Sequence, residues 1–156
     1  ALEGIAVIDL RTAVLATQVS KDAFKALEEE SDYSSNVEQA RILQTDRQSL
    51  AEKLSKEAET LSQEEIGDIQ RSIQEKSKDL EFIVNKIQTK QNETADKVFR
   101  DLNPSVQKIL QELIAAKEVK LLLGRENIHF SDQALDLTDD VTSMLDVALK
   151  DQNSDN

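Results

Sequence analysis

The stretch LSQEEI, residues 61–66, decides the fold of this chain. Ser62 can accept a hydrogen bond from the backbone N–H of Glu65, and the Glu65 side chain can bond back to the N–H of Ser62. This reciprocal pair is the capping box that begins a helix. Glu64 and Glu65 also place negative charge where the helix dipole favours it. The stretch predicts the start of a new helix, with a chain reversal at a tip near 62–65.

Apolar residues at alternating spacings of three and four run away from this tip in both directions, as in the heptads of packed helices. Seam positions on the two sides are equally distant from a point beside Gln63, so that Leu54 would face Ile73 and Arg47 would face Leu80. This symmetry predicts an antiparallel helical hairpin arm over residues 20–104. The predicted seam consists of Leu43, Leu50, Leu54, Leu61, Ile66, Ile69, Ile73, Leu80, Ile83 and Ile87.

Three features interrupt these helices. Residues 28–35, EEESDYSS, contain side chains that compete for backbone hydrogen bonds, so we expect a bend or frayed turn there. Asn103-Pro104 predicts a kink or short break. Charged residues at three seam positions indicate either arms that bend and splay or a device that sets the helix register. These residues are Arg47, Lys76 and Lys90.

The two ends of the chain carry the strand signals. Residues 5–9, IAVID, are apolar on both faces and predict a buried strand. Later in the chain, apolar residues alternate over 119–123 and resume over 127–131, with Gly124 between them. This pattern predicts a β-hairpin, with His129 as a strand residue at its turn end.

A last helix is predicted over 139–149, with Thr138 as its N-cap and acidic residues in its first turn. The tail at 151–156 is expected to be disordered. Together with the strands, this helix would make a second region from residues 1–19 and 105–150.

Three short strands cannot cover their own edges and apolar faces, so association between copies of the chain would offer partners for both. The alternative is a monomer whose strands pack only on the helices of the same chain. The residues assigned to this association, which the family resemblance described below implies to be a trimerisation body, are Ile5, Val7, Val119, Leu121, Leu123, Ile128 and Phe130.

Two apolar residues of the arm, Ile42 and Phe82, fall outside the seam. Apolar side chains at exposed helix positions can contact unfolded polypeptide, so both are candidate contacts for such a ligand. The alternative is ordinary surface exposure, since scattered apolar residues are normal on protein surfaces.

Composition excludes several classes of function. The net charge is −12, which repels nucleic acid, and no run of residues is apolar enough to span a bilayer. With no cysteine and one histidine, no metal site, cofactor site or catalytic arrangement is predicted, so we expect no enzyme activity. The chain opens without a basic or hydrophobic leader, as a secreted protein does once its signal peptide has been removed.

The order of these elements resembles the Skp/OmpH family of periplasmic chaperones, the seventeen-kilodalton protein type. The resemblance covers nearly the whole chain and rests on the two ends, IAVIDLRTAVLAT at 5–17 and VKLLLGRENIHFSDQALDLTDDV at 119–141. In that family a short strand opens the mature protein, and two strands followed by an Asp-Leu/Ile-Thr stretch precede the last helix. Phe130-Ser131-Asp132 and Asp136-Leu137-Thr138 stand at the matching places here.

The resemblance implies a mainly α-helical fold with a small β body, in which long helical hairpins project as tentacles from a trimeric barrel-like core. It also implies an ATP-independent holdase that keeps unfolded outer-membrane proteins in a cavity between the arms, in the periplasm. A structural coiled-coil adaptor that binds one folded partner is the alternative. The best-known members of the family are basic, whereas this chain is acidic, which argues against lipopolysaccharide binding here.

Overall fold

The computed structural model describes residues 3–154, with side chains described through Gln152. Most of these residues are helical. The regular elements are the strands β1 (Ile5–Ile8) and β2 (Leu121–Gly124), the helices α1 (Leu10–Leu15), α2 (Gln18–Glu29), α3 (Ser31–Glu57), α4 (Gln63–Ala116) and α5 (Thr138–Ser154), and single 3-10 turns at Arg125–Asn127 and Gln133–Leu135.

The chain divides into two compact units. The end unit comprises Ala1–Lys25 with Glu93–Asn156, and the middle unit comprises Ala26–Asn92. The predicted arm covers 20–104, whereas the middle unit covers the shorter range Ala26–Asn92. The reason is that Val98 and Leu102 belong to the buried core of the end unit, although they continue the apolar spacing of the helix before them.

In the end unit, the two strands form a parallel pair in which Ile5 lies opposite Leu121 and Ile8 opposite Gly124. Gly4 begins this pairing, because its carbonyl accepts from the N–H groups of both Lys120 (2.6 Å) and Leu121 (2.9 Å). The backbone of Gly4 has a φ of 83°, which is unfavourable for residues with a side chain. The two ends of the sequence therefore meet along one strand pair.

The predicted β-hairpin is wrong. Only its first strand forms, as β2, and the chain then enters the 3-10 turn at Arg125–Asn127 instead of reversing at Gly124. Residues 127–131, including His129, form no strand. The alternation of apolar residues could not show which strand pairs with β2. Its partner is β1, and the other side of β1 makes a bridge from Val7 to Asp136.

The core of the end unit is built from the C-terminal half of α4, α1, α5 and β1, and its buried members include Val14, Ile109, Val141 and Leu145. Helix α4 passes through Pro104 without a break, so of the predicted kink or short break, the short break is wrong. Proline removes one backbone donor. The buried neighbours of Pro104 on α4, Leu102 and Val106, hold both sides of it in the core.

Polar contacts connect the beginning of the chain to α5. The Asp9 side chain caps α1, and its backbone N–H donates to Thr138 Oγ1 (3.0 Å). Asp146 Oδ1 accepts from the N–H of Gln18 at the start of α2 (2.8 Å). Thr138 is the first residue of α5, so its prediction as the N-cap was wrong because its hydroxyl serves Asp9 instead. Helix α5 also includes 151–154, which corrects the predicted disorder there, while 155–156 lie outside the described residues.

The capping box at the start of α4 is confirmed. Glu65 N–H donates to Ser62 Oγ (3.1 Å), and Ser62 N–H donates to the Glu65 carboxylate (3.0 Å). Because the box belongs to the helix start, the chain reverses just before it, at 58–62, where the N–H groups of Thr60 and Leu61 both donate to the Glu57 carbonyl. The predicted tip was a few residues too late.

The predicted bend within 28–35 is confirmed as the boundary between α2 and α3. Glu30 has an extended backbone with a ψ of 130°, so the helix ends at Glu29 and restarts at Ser31. Tyr33 is buried just beyond this bend, and its hydroxyl accepts from Gln91 Nε2 on α4 (3.0 Å). The contact fixes the first turn of α3 to α4.

Candidate functional site

The seam of the middle unit joins α3 to the N-terminal half of α4. All ten predicted seam residues are half-buried or buried, with Leu80 and Ile83 the most buried. Residues later in α3 contact residues earlier in α4, which makes the pair antiparallel: Tyr33 bonds to Gln91, and Arg47 bonds to Ser77. The predicted partner of Arg47 was Leu80, so this contact lies one helical turn nearer the reversal than expected.

Two seam cations make contacts of different kinds. Arg47 Nη1 donates to Ser77 Oγ (3.3 Å). Lys76 Nζ lies 3.7 Å from a carboxylate oxygen of Asp46, which makes an ion pair across the helices. Lys90, the third predicted seam cation, is exposed. The seam is therefore apolar along most of its length and polar near its middle.

Ile42 and Phe82 lie outside the seam, as predicted, and their side chains are 44% and 62% exposed. The ring of Phe82 lies 4.5 Å from the Lys86 ammonium, a distance suited to a cation–π contact. Phe82 lines a groove between α3 and α4 together with Asp32, Asn36 and other polar residues. An aromatic side chain this exposed on a charged helix pair is available to a ligand.

The seven residues assigned to the trimerisation body differ in how far they are buried. Val7 is buried, and Ile5, Val119 and Ile128 are half-buried. Leu121 and Leu123 on β2 are 48% and 38% exposed, and Phe130 is 87% exposed. Since alternate residues of a strand share a face, Leu121 and Leu123 form one exposed apolar surface. Within residues 3–154, the strand ladder of β2 has β1 as its one partner, which leaves its other edge open.

A polar pocket joins Asp9, Arg125 and Asp136, none of which the sequence predicted as a site residue. The Asp136 carboxylate accepts from the N–H and hydroxyl of Thr138 and pairs with Arg125. Burial raises the pKa of Asp136, but the hydrogen bonds from Thr138 and the charge of Arg125 outweigh it and lower the pKa overall. The backbone N–H of Thr12, followed by its hydroxyl, lowers the pKa of Asp9. The spacing from Arg125 to Asp136 carries no motif that could have indicated this pair.

Stability should therefore fall in acid. A carboxyl group whose folded pKa is below its unfolded value stabilises the protein above the unfolded pKa, near 3.8 for aspartate, and loses that contribution as the pH drops further. Asp136→Asn is expected to lower the free energy of unfolding by about 1 kcal/mol at pH 7 and by less at pH 3, where the contribution of the carboxylate begins to be lost. Urea unfolding followed by circular dichroism at both pH values measures this.

Asp96→Asn is the matched control for this prediction, because Asp96 is an exposed aspartate on α4. It should match the wild type at both pH values. An Asp136→Asn variant that is destabilised equally at pH 3 and pH 7 would show that the ionised carboxylate is not what stabilises this corner.

Residues 3–154 contain no group of three or more potential metal ligands, and no helix in that range is long and apolar enough to cross a membrane. His129 is exposed and lies outside any strand. The exposed apolar side chains on β2, at Phe130 and on the middle unit are thus the candidate functional surfaces.

These features define a mainly helical protein in which a small parallel sheet and its helices form one unit and an antiparallel helix pair forms the other. The sequence profile of the family described as "Outer membrane protein (OmpH-like)" matches residues 4–145. The chain belongs to this OmpH-like family, as the resemblance of its two ends predicted.

A solved structure supports the same fold. It is the crystal structure of a protein from Caulobacter crescentus CB15 described as an OmpH-like outer membrane chaperone, with a TM-score of 0.54 and 23% sequence identity. The alignment covers 96% of this chain and 88% of that chain. No curated protein matches the sequence significantly.

Proposed function

We propose that this protein is an ATP-independent holdase chaperone that binds unfolded outer-membrane proteins in the periplasm and prevents their aggregation. The observation that carries the proposal is the set of large apolar side chains left exposed on a highly charged member of the OmpH-like family. The related Caulobacter protein is described as an outer membrane chaperone, which supports the choice of client. The mechanism requires no bond making or breaking, so we propose no enzyme activity.

The proposed active form is a homotrimer assembled through the end unit. Its support is the combination, on β2, of an open strand edge with an exposed apolar face at Leu121 and Leu123. Open edges of this kind pair readily with another chain. Phe130, almost fully exposed in the single chain, would be covered in the same assembly.

In this proposal the middle units of three copies act as arms around a cavity, and Ile42 and Phe82 provide apolar contacts to the client. Each contact is weak, because a single exposed side chain buries little area. Several arms acting together would still bind tightly, since later contacts form at a high effective concentration. The client would remain unfolded and exchange among many contacts.

The charge of the chain sets limits on its partners. A net charge of −12 per copy keeps the assembly soluble and repels both nucleic acid and anionic lipid. We therefore do not expect lipopolysaccharide to bind. Acidic clients would be held by apolar and polar contacts in spite of the repulsion.

The test is dilution of a urea-unfolded porin into buffer with the protein and without ATP, followed by light scattering. Suppression of aggregation at one trimer per porin is expected, and the double variant Ile42→Ser/Phe82→Ser should require more protein for the same effect. Val147→Ser, which changes an exposed apolar residue of the end unit, is the control and should act like the wild type.

Two results would contradict the proposal. One is aggregation that proceeds unchanged in the presence of the wild type. The other is saturable binding of a single folded protein with no affinity for unfolded porins, which is the behaviour of a coiled-coil adaptor.

A further inference from the structure

Two grooves run along opposite sides of the helix pair in the middle unit. One, of about 460 Å³, is lined by Gln44, Arg47, Gln48, Ala51, Ile73 and Ser77. The other is lined by Asp32 and Ser35 on α3 and by Phe82, Lys86 and Thr89 on α4. The residues that line each groove show which positions of the two helices share a face. Further positions on the same face follow at spacings of three and four residues along each helix.

The two faces differ in charge. The face of the first groove is called here the uncharged face. It consists of fifteen positions, namely 34, 37, 41, 44, 48, 51 and 55 on α3 and 67, 70, 74, 77, 81, 84, 88 and 91 on α4. Arg41 and Glu81 are its two charged members apart from the seam, in a chain in which 32% of residues are charged. Of the fourteen matching positions on the opposite face, seven are charged.

Glutamine replaces charge on the uncharged face. Of the eight glutamines between 26 and 92, six lie on it, and all six are exposed. They are Gln44, Gln48, Gln70, Gln74, Gln88 and Gln91. A glutamine side chain both donates and accepts hydrogen bonds, as a peptide group does, and it does not select for the charge of its partner.

The seam cations point to the same distinction. Lys76 is paired with the Asp46 carboxylate, which lies on the face opposite the uncharged face. Arg47 lines the groove on the uncharged face, and its partner among the described residues is the neutral hydroxyl of Ser77. Because one donor group of Arg47 makes this bond, the remaining guanidinium N–H groups are available in the groove to carbonyl oxygens.

We propose that the uncharged face binds the main chain of the unfolded client in an extended conformation, with Arg47 at the centre of the contact. An unfolded chain presents a peptide donor and acceptor at every residue, and these match the amides of the face regardless of client sequence. The face lacks large aromatic anchors of the kind that dominate binding to folded partners. This inference rests on the proposed holdase function and assigns the client backbone to a surface distinct from that of Ile42 and Phe82.

Substitution of the two seam cations tests the proposal. Arg47→Leu and Lys76→Leu each remove one positive charge and each make the seam more apolar, so both should raise the melting temperature. Arg47→Leu should nevertheless weaken binding of a fluorescently labelled, urea-unfolded porin about tenfold, the effect expected from losing a charge-assisted hydrogen bond. Lys76→Leu should leave that affinity unchanged. Weaker binding by a more stable protein cannot result from misfolding.

A second pair of variants tests the face away from the seam. Gln48→Glu adds a carboxylate to the uncharged face, and Gln39→Glu adds the same charge to the opposite face of the same helix, where Asp32 lies seven residues earlier. Only Gln48→Glu should weaken porin binding, by about threefold, since carboxylates repel carbonyl oxygens.

The outcomes separate the two proposals. If the wild type does not bind unfolded porin, the holdase proposal fails and this inference fails with it. If the wild type binds and the members of each pair behave alike, the uncharged face is not the client surface, although the holdase proposal stands. A change in solution mass confined to Gln48→Glu would show that the face contacts a second copy of the chain, which also overturns the inference.

Discussion

Leu145→Ala is expected to lower the free energy of unfolding by about 2–5 kcal/mol, the range for truncation of a fully buried leucine. Leu145 has no exposed surface, and it lies in the cluster that joins α5 to Val14 and the C-terminal half of α4. A protein of this size is stable by only about 5–15 kcal/mol, so the loss is a large part of the total. Urea unfolding followed by far-ultraviolet circular dichroism measures it.

Val147→Ala on the same helix is the control, because the Val147 side chain is 61% exposed. It should change the free energy of unfolding by less than about 0.5 kcal/mol. Equal effects of the two truncations would mean that α5 is not packed on the core through the face described above.

The double variant Leu121→Asp/Leu123→Asp is expected to convert the proposed trimer to a monomer and to abolish holdase activity. Two carboxylates on alternate residues of β2 would have to be buried without partners at the interface, which costs several kcal/mol per copy. In the single chain the same positions face solvent, so the fold itself should survive. Light scattering coupled to size-exclusion chromatography gives the mass, and circular dichroism reports the helix content.

Ile42→Asp is the matched control for this experiment, since Ile42 is similarly exposed but lies in the middle unit. Its mass should equal that of the wild type. Phe130→Asp should reduce the mass as the β2 variant does. If the β2 variant keeps the mass of the wild type, its exposed apolar face serves a purpose other than self-association.

In the proposed holdase, the separation of charge in the middle unit would keep both the acidic assembly and its unfolded client in solution. Carboxylates and ammonium groups on the face opposite the uncharged face keep the protein hydrated around the proposed apolar contacts at Ile42 and Phe82. On the other face, amides offer many hydrogen bonds that are each worth about 1 kcal/mol or less in water. Contacts this weak would break and form rapidly, so a client could leave without an energy source.

The helix pair of the middle unit could be predicted in detail from the sequence because its determinants are local. The capping box needs only Ser62 and Glu65, and the seam follows from residues three and four apart on the same helix. The positions of Ile42 and Phe82 outside the seam follow from the same spacing. The exact register of the two helices could not be predicted in this way, because it depends on where the chain turns within 58–62.

The end unit could not be predicted to the same extent, because its contacts join residues more than a hundred positions apart. Alternation along 119–131 indicated strand-like residues but could not show that β2 pairs in parallel with β1, nor that 127–131 stay outside the sheet. The bond from Gln18 to Asp146 spans a similar distance in sequence. Arg125 and Asp136 are only eleven residues apart, but no known motif links an arginine and an aspartate at that spacing.

The sequence by itself thus determined the class of the protein, its antiparallel helices and its family, since repeating apolar spacing and a capping motif act within a few residues. Only the tertiary structure decided which strand edge and which apolar side chains remain open, and which face of the helix pair lacks charge beside Arg47. Those properties depend on what packs against each residue, and packing between distant segments is a property of the folded chain.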